Sequence, residues 1–173
     1  MKIAVSGTHG VGKSTLIDEF LRLHPEFEYE PEPYEVLVEE YGEEFSEDPT
    51  VEDFLRQLEF NIERLGQHAA SENVIYERCP FDFVAYLNAL AANVPEALLK
   101  RTSEAMQQLD LIVYLPLDHE GGGEFPKLRR AMDHQLSEIL TSTNVTVVEP
   151  TGSTPQRLRA VENALTDIKH AAG

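Results

Sequence analysis

The chain has 173 residues, of which 42% are hydrophobic and 26% are charged, and this composition is typical of one compact soluble domain. Its formal net charge of −17 would repel a duplex nucleic acid or an anionic membrane, so we expect neither as a partner. The single cysteine, Cys79, excludes an internal disulfide. No apolar run reaches the ~20 residues of a membrane span, and the N-terminus lacks a signal-peptide pattern, so we expect a cytoplasmic protein.

Short apolar runs alternate with longer segments of helical periodicity along the chain. The predicted strands are 3–5, 27–29, 74–76, 111–115 and 145–148. The predicted helices begin at N-cap or proline positions, namely Thr50 (with Asp53 as its capping-box partner), Pro80, Pro95 and Thr154. Strands alternating with helices predict an α/β fold, in which a parallel sheet is covered by helices on both faces. We expect a single domain over residues 1–173.

A glycine-rich loop of the form G-x-x-x-x-G-K-S follows the first predicted strand and opens an amphipathic helix. Backbone N–H groups in such a loop, together with the helix N-terminus, bind phosphate groups. We expect Lys13 to contact the β- and γ-phosphates and the Ser14 hydroxyl to bind Mg²⁺. The motif therefore predicts a nucleoside triphosphate site. Its candidate binding residues are Gly7, Thr8, His9, Gly10, Val11, Gly12, Lys13, Ser14 and Thr15.

The third predicted strand runs into Glu77 and Arg78. A carboxylate at the end of a strand beside the phosphate loop can hold Mg²⁺ or its water, so Glu77 is a candidate metal residue together with Ser14. The planar guanidinium of Arg78 can bridge the oxygens of a transferring phosphoryl group. The alternative is a neutral surface pair.

A basic cluster follows the fourth predicted strand. Three glycines at 121–123 precede a predicted helix that carries Lys127, Arg129 and Arg130, although the chain is strongly acidic. A flexible hinge beside an outward basic face is typical of a closing lid, which we place at about 119–135. Its arginines would neutralise charge on the transferred phosphoryl group. The sequence does not distinguish Arg129 from Arg130, and a solvated basic face is the alternative.

Two features complete a set of motifs that spans nearly the whole chain. Overlapping Glu-Pro pairs at Glu30 and Glu32 follow the second predicted strand, and a loop containing Thr151 and Gly152 follows the fifth. In this order the motifs resemble the P-loop nucleoside/nucleotide kinase-like family, and in particular its AAA-type ATPase/kinase branch, which is related to ribosylnicotinamide kinases and deoxynucleoside kinases. The resemblance implies a three-layer P-loop NTPase fold with a five-stranded parallel sheet in the order 2-3-1-4-5.

The resemblance also implies ATP and Mg²⁺ as cofactors and roles for the remaining candidates. The Glu-Pro carboxylate would take the proton from an acceptor hydroxyl, and we favour Glu32 because a helix-like segment follows it in better register, with Glu30 as the alternative. The other interpretation of this segment is a solvated acidic stretch. Thr151 and Gly152 would lie against the adenine ring; the alternative is an ordinary turn that caps the last helix. The catalytic candidates are thus Lys13, Glu32, Arg78, Arg129 and Arg130.

The charge distribution suggests what the acceptor is. No lysine or arginine occurs from Leu23 through Leu55, whereas thirteen carboxylates do. A phosphorylated acceptor needs a cationic clamp. We therefore hypothesise an uncharged or cationic acceptor, a nucleoside or a similar compound, with Arg56 and Arg64 as the exceptions to check.

The function that the sequence favours is an ATP-dependent kinase acting on this acceptor. The alternatives are a P-loop ATPase that acts as a conformational switch and an inactive nucleotide-binding module. The oligomeric state stays open, with a homodimer as one option.

Overall fold

The computed structural model describes residues 1–68, 72–117 and 124–172. Its strands form one five-stranded sheet in which every neighbouring pair is parallel. The strands are β1 (Lys2–Ser6), β2 (Glu28–Glu30), β3 (Val74–Glu77), β4 (Leu111–Tyr114) and β5 (Thr146–Val148). Their order across the sheet is β2-β3-β1-β4-β5, which confirms the order that the family resemblance implied.

Seven helices connect and cover these strands in the described part of the chain. They are α1 (Lys13–Leu23), α2 (Pro33–Glu39), α3 (Val51–Gln67), α4 (Pro80–Ala89), α5 (Glu96–Met106), α6 (Pro126–Thr141) and α7 (Thr154–Ala172). The predicted capping box of α3 is present, since Thr50 and Asp53 exchange hydrogen bonds. Pro80 is the first residue of α4. Pro95 lies one residue before α5 because its backbone is extended.

The two edge strands begin one residue later than the sequence predicted. Phe27, expected in β2, packs its ring against Phe20 of α1, with the ring centroids 5.0 Å apart. Val145, expected in β5, lies just before that strand. Both edge strands have only three residues, none of them fully buried, so their hydrophobic pattern marks the boundaries less sharply than in the buried central strands.

The hydrophobic core consists of two layers separated by the sheet. Alternate residues of β1 point to opposite faces, so Ile3 and Val5 pack with α1 and α7, whereas Ala4 packs with α3, α4, α5 and α6. This is the predicted arrangement of a parallel sheet with helices on both faces. None of the helices in the described ranges has both the length and the apolar composition needed to cross a bilayer.

The parallel strands place the motifs predicted from sequence at the same end of the sheet, where the strands have their carboxyl ends. Val5 of β1 lies opposite Glu77 of β3 and Val113 of β4, so the loops that follow these strands leave the sheet side by side. The last residue of β2, Glu30, pairs with Tyr76 of β3, so β2 ends on the same side of the sheet. In open parallel sheets, ligands bind in the crevice outside these carboxyl ends.

Candidate active site

The phosphate loop links β1 to α1 and depends on glycine at two positions in particular. A side chain on Gly7 would collide with the carbonyl of Leu115, and the φ of Gly7 is +140°. Gly12 has a φ of +93° at the N-cap of α1, a conformation that disfavours other residues. Backbone N–H groups at the N-terminus of a helix lack partners within the helix, so this position can bind an anion.

The side chain of Lys13, the first residue of α1, lies against the phosphate loop and is almost fully buried. Its Nζ donates a hydrogen bond to the carbonyl of Thr8 at 3.0 Å and lies 4.0 Å from Oε1 of Glu77. Burial and the nearby cation of Arg78 lower the pKa of Lys13 to about 8. The lysine therefore carries a positive charge that its surroundings compensate only in part, which suits it to bind an anionic polyphosphate.

Ser14 and Glu77 meet beside the loop, as their predicted role as a metal pair requires. The Ser14 hydroxyl donates to Oε1 of Glu77 at 3.0 Å, and Tyr29 of β2 donates to Oε2 at 2.9 Å. No group of three His, Cys, Asp or Glu side chains that could hold a metal occurs in the described ranges. A serine hydroxyl beside one carboxylate fits Mg²⁺, which usually takes few protein ligands and completes its shell with phosphate oxygens and waters.

The buried Arg78 pairs with the partly buried Glu32 in front of the phosphate loop. Nε of Arg78 hydrogen-bonds Oε1 of Glu32, and its Nη1 donates to the carbonyl of Gly7 at 2.9 Å. Burial raises the pKa of Glu32, but the charges of Arg78 and Lys13 outweigh this effect and lower it below the ordinary value. Glu32 is therefore an ionised carboxylate. The backbone of Arg78 has a φ of +73°, a conformation that arginine rarely adopts.

Glu30, the alternative to Glu32, has other partners. Its carboxylate lies 2.7 Å from Nε2 of His68 and 3.5 Å from Nη1 of Arg64. Arg64 also donates to the carbonyl of Pro31. Of the two glutamates, only Glu32 contacts Arg78 and reaches the cavity described below.

Asp82 of α4 is a residue of the site that the sequence analysis missed. Its fully buried carboxylate accepts hydrogen bonds from the N–H groups of Gly7 and Cys79, both at 2.9 Å. It thereby joins the start of the phosphate loop to the segment after Glu77. A signal was available, because an acidic residue at the third position of a helix frequently caps it.

On α6, the two arginines of the predicted lid have different environments. Arg129 is buried, and its Nη2 lies 3.5 Å from the point that a side chain on Gly10 would occupy. Arg130 is exposed, as is Lys127. The glycines at 121–123, predicted as the hinge of the lid, lie outside the described residues.

The loop predicted to lie against adenine is connected to the phosphate loop through a residue that the sequence did not indicate. Thr151 and Gly152 are exposed. Arg157, in the first turns of α7, donates from Nη1 to the carbonyl of Val11 at 3.0 Å. These two residues are 146 positions apart, and no sequence motif predicts the contact between them.

A cavity of about 310 Å³ opens in front of Glu32 and Arg78. Two of its aromatic residues, Phe54 and Tyr86, stack with their ring centroids 4.4 Å apart. Its lining residues are His9, Glu32, Tyr34, Phe45, Ser46, Glu47, Pro49, Asp53, Phe54, Gln57, Arg78, Phe83, Tyr86, Glu124, Phe125, Leu128 and Arg129. The cavity thus lies between the phosphate loop, α3, α4 and the start of α6.

One wall of the cavity comes from the segment between α2 and α3. This segment has no regular secondary structure, and side-chain contacts with α2 and α3 hold it in place. Arg56 of α3 forms a bidentate ion pair with Glu43, and the ring centroids of Tyr34 and Phe45 lie 5.1 Å apart. Arg56 is therefore paired with Glu43 and does not line the cavity.

Comparison with known proteins agrees with this geometry. A family model described as AAA domain matches residues 2–157. No curated protein sequence matches the chain significantly. Among solved structures, the deoxyadenosine kinase from M. mycoides with bound dATP is 18% identical, with a TM-score of 0.61, and the match covers 96% of this chain and 100% of that one.

Two further solved structures resemble the chain at similar levels. The thymidylate kinase from Candida albicans is 16% identical, with a TM-score of 0.68 and coverage of 97% of this chain and 92% of that one. The NadR protein in complex with NR is 15% identical, with a TM-score of 0.68, and the match covers 96% of this chain and 50% of that one. At sequence identities this low, the structural similarity establishes a shared fold and nothing more. The chain therefore belongs to the AAA domain family and has the fold of the P-loop nucleoside and nucleotide kinases, which confirms the resemblance seen in its sequence motifs.

Proposed function

We propose that the protein is an ATP- and Mg²⁺-dependent phosphotransferase that moves the γ-phosphate to a nucleoside-like acceptor. The observation that carries this proposal is the position of the Glu32–Arg78 pair, which lies between the phosphate loop and a cavity with stacked aromatic rings. A base and a cation at the boundary of two sites suit a transfer between a donor and an acceptor.

On the donor side, the loop amides and Lys13 would hold the triphosphate, and Ser14 with Glu77 would hold Mg²⁺. The metal, when bound, would neutralise charge on the β- and γ-phosphates. Arg129 of α6 lies beside Gly10 and would neutralise the charge that develops as the phosphoryl group transfers. Thr151 and Gly152 would border the base of the nucleotide, next to Arg157.

On the acceptor side, Glu32 would accept the proton of the attacking hydroxyl. Its ionised carboxylate is the correct form for a general base, and Arg78 holds it in a fixed orientation. Once the hydroxyl proton has moved to Glu32, the guanidinium of Arg78 is available to the oxygens of the transferring group.

The charges of the cavity favour an acceptor without a phosphate. Its cationic arginines, Arg78 and Arg129, lie at the end nearest the phosphate loop. Of the two arginines that could have bound a second phosphate, Arg56 pairs with Glu43, and Arg64 with Glu30 and Pro31. The carboxylates of Glu47, Asp53 and Glu124 line the same cavity. An anionic acceptor would meet repulsion there without a clamp, whereas a nucleoside would not.

ADP release in the presence of different acceptors tests the proposal. Nucleosides should raise the rate, and the corresponding monophosphates should raise it less. Release that does not depend on an acceptor would favour an ATPase, and preferred turnover of monophosphates would refute the assignment of the acceptor class.

Two matched variants test the role of Glu32. Glu32→Gln should slow acceptor-dependent turnover about 100-fold or more and leave ATP affinity nearly unchanged. Glu30→Gln alters the neighbouring Glu-Pro pair and should keep most of the activity. A wild-type rate for Glu32→Gln would reject it as the base.

A further inference from the structure

We propose that Tyr29 is a positioning residue that fixes the carboxylate of Glu77 for Mg²⁺ binding. The inference rests on the proposed function, because it assigns a role to a residue beside the expected metal position. Tyr29 donates its hydroxyl to Oε2 of Glu77 at 2.9 Å, while Ser14 donates to Oε1 at 3.0 Å. Both oxygens of this carboxylate are thus held by separate donors from two different elements.

The register of the sheet explains why Tyr29 can reach Glu77. In the parallel pairing of β2 with β3, Tyr29 lies opposite Ile75. Side chains alternate between the two faces of a strand, so Ile75 and Glu77 lie on the same face, and Tyr29 lies on it too. This is the face that α1 covers, with Ser14 in its first turn. The long tyrosine side chain spans the distance to the strand end, where a shorter residue would not.

The chemistry of the donor matters as much as its position. A lysine or arginine in place of Tyr29 would neutralise the carboxylate and compete with a divalent cation for it. A phenol hydroxyl orients the carboxylate without removing its negative charge. With Oε2 held by Tyr29, the carboxylate cannot rotate freely, and Oε1 stays directed at the Ser14 hydroxyl. Partners of this kind commonly determine how well a metal-binding group is aligned.

Burial is consistent with this role. Glu77 is 4% exposed, whereas Tyr29 is 38% exposed and lies on the edge strand of the sheet. The tyrosine therefore lies on the solvent side of a buried carboxylate. Its hydroxyl satisfies an acceptor that would otherwise face the cost of burial without a partner.

Calorimetric titration with the non-hydrolysable analogue adenylyl imidodiphosphate, in Mg²⁺ and in EDTA, tests the inference. Tyr29→Phe removes the hydroxyl and keeps the ring. We expect it to reduce the Mg²⁺-dependent gain in affinity about tenfold, and to leave the affinity in EDTA within about twofold of wild type. Tyr41→Phe is the matched control, since Tyr41 is exposed and packs against Phe60 away from Glu77, and it should change neither value.

The possible outcomes separate the inference from the proposed function. A Tyr29→Phe protein with the full Mg²⁺-dependent gain would overturn the inference and leave the proposed function standing. Equal losses in Mg²⁺ and in EDTA would also overturn it, because they would indicate a general structural role. A wild-type protein that binds the analogue no more tightly with Mg²⁺ than with EDTA would overturn both.

Discussion

Replacing Lys13 by methionine should stabilise the nucleotide-free protein even though it removes a residue that we assign to phosphate binding. The buried Nζ has a pKa lowered from 10.5 to about 8, chiefly by burial and then by Arg78. A shift of this size corresponds to about 3 kcal/mol by which the folded state disfavours the charged lysine. The lost hydrogen bond to Thr8 costs about 1 kcal/mol, which leaves a net gain of about 2 kcal/mol at neutral pH.

The pH dependence of this gain follows from linkage. Below the folded pKa of about 8, Lys13 is protonated in both the folded and the unfolded chain, so the full penalty applies. As the pH rises from there toward 10.5, the folded lysine loses its proton while the unfolded lysine keeps it. Wild-type stability should therefore rise relative to the variant by about 1.4 kcal/mol per pH unit, and the two should become equal by about pH 9.5.

Urea denaturation followed by circular dichroism, without nucleotide or Mg²⁺, measures both effects. Lys127→Met is the control, because Lys127 is exposed on α6 and its removal should not change the free energy of unfolding. A Lys13→Met protein less stable than wild type at neutral pH would refute the reasoning. A stability difference that stays constant as the pH rises would refute it as well.

Two further predictions concern α6 and α4. Arg129→Ala should lower acceptor-dependent kcat by about 10- to 100-fold, because Arg129 is buried beside the phosphate loop. Arg130→Ala should leave kcat nearly unchanged, because Arg130 is exposed. Equal effects of the two substitutions would contradict this. Asp82→Asn should lower the free energy of unfolding by about 3 kcal/mol, because Gly7 N–H donates to Oδ1 and Cys79 N–H to Oδ2, and asparagine replaces one of these oxygens with an NH₂ group that cannot accept. An unchanged urea midpoint would argue against this role.

The parts of the structure that sequence predicted well depend on neighbouring residues. The phosphate loop is a contiguous motif, and the segment from Glu77 to Arg78 follows directly from a buried apolar strand. The two residues of the capping box, Thr50 and Asp53, are likewise only three positions apart. Local patterns of this kind fix local structure, and the alternation of strands and helices then predicts the parallel sheet.

The parts that sequence did not predict depend on contacts between distant residues. The hydrogen bonds of Asp82 to Gly7 and of Arg157 to Val11 exist only once the strands and helices are in register. Arg129 and Arg130 are the same residue type at adjacent positions of one helix, so their sequence context does not distinguish them. They differ by about 100° around the helix axis, and this rotation brings only one of them to the loop.

The construction of the cavity wall between α2 and α3 bears on how this protein could diverge. The phosphate loop follows the central strand of the sheet, but the wall is an irregular segment held by side-chain contacts such as Arg56 with Glu43 and Tyr34 with Phe45. Insertions or replacements in such a segment need not disturb the strands beneath it. Relatives could therefore change their acceptor by replacing a stretch of about ten residues, while the phosphate loop that binds the donor nucleotide stays the same.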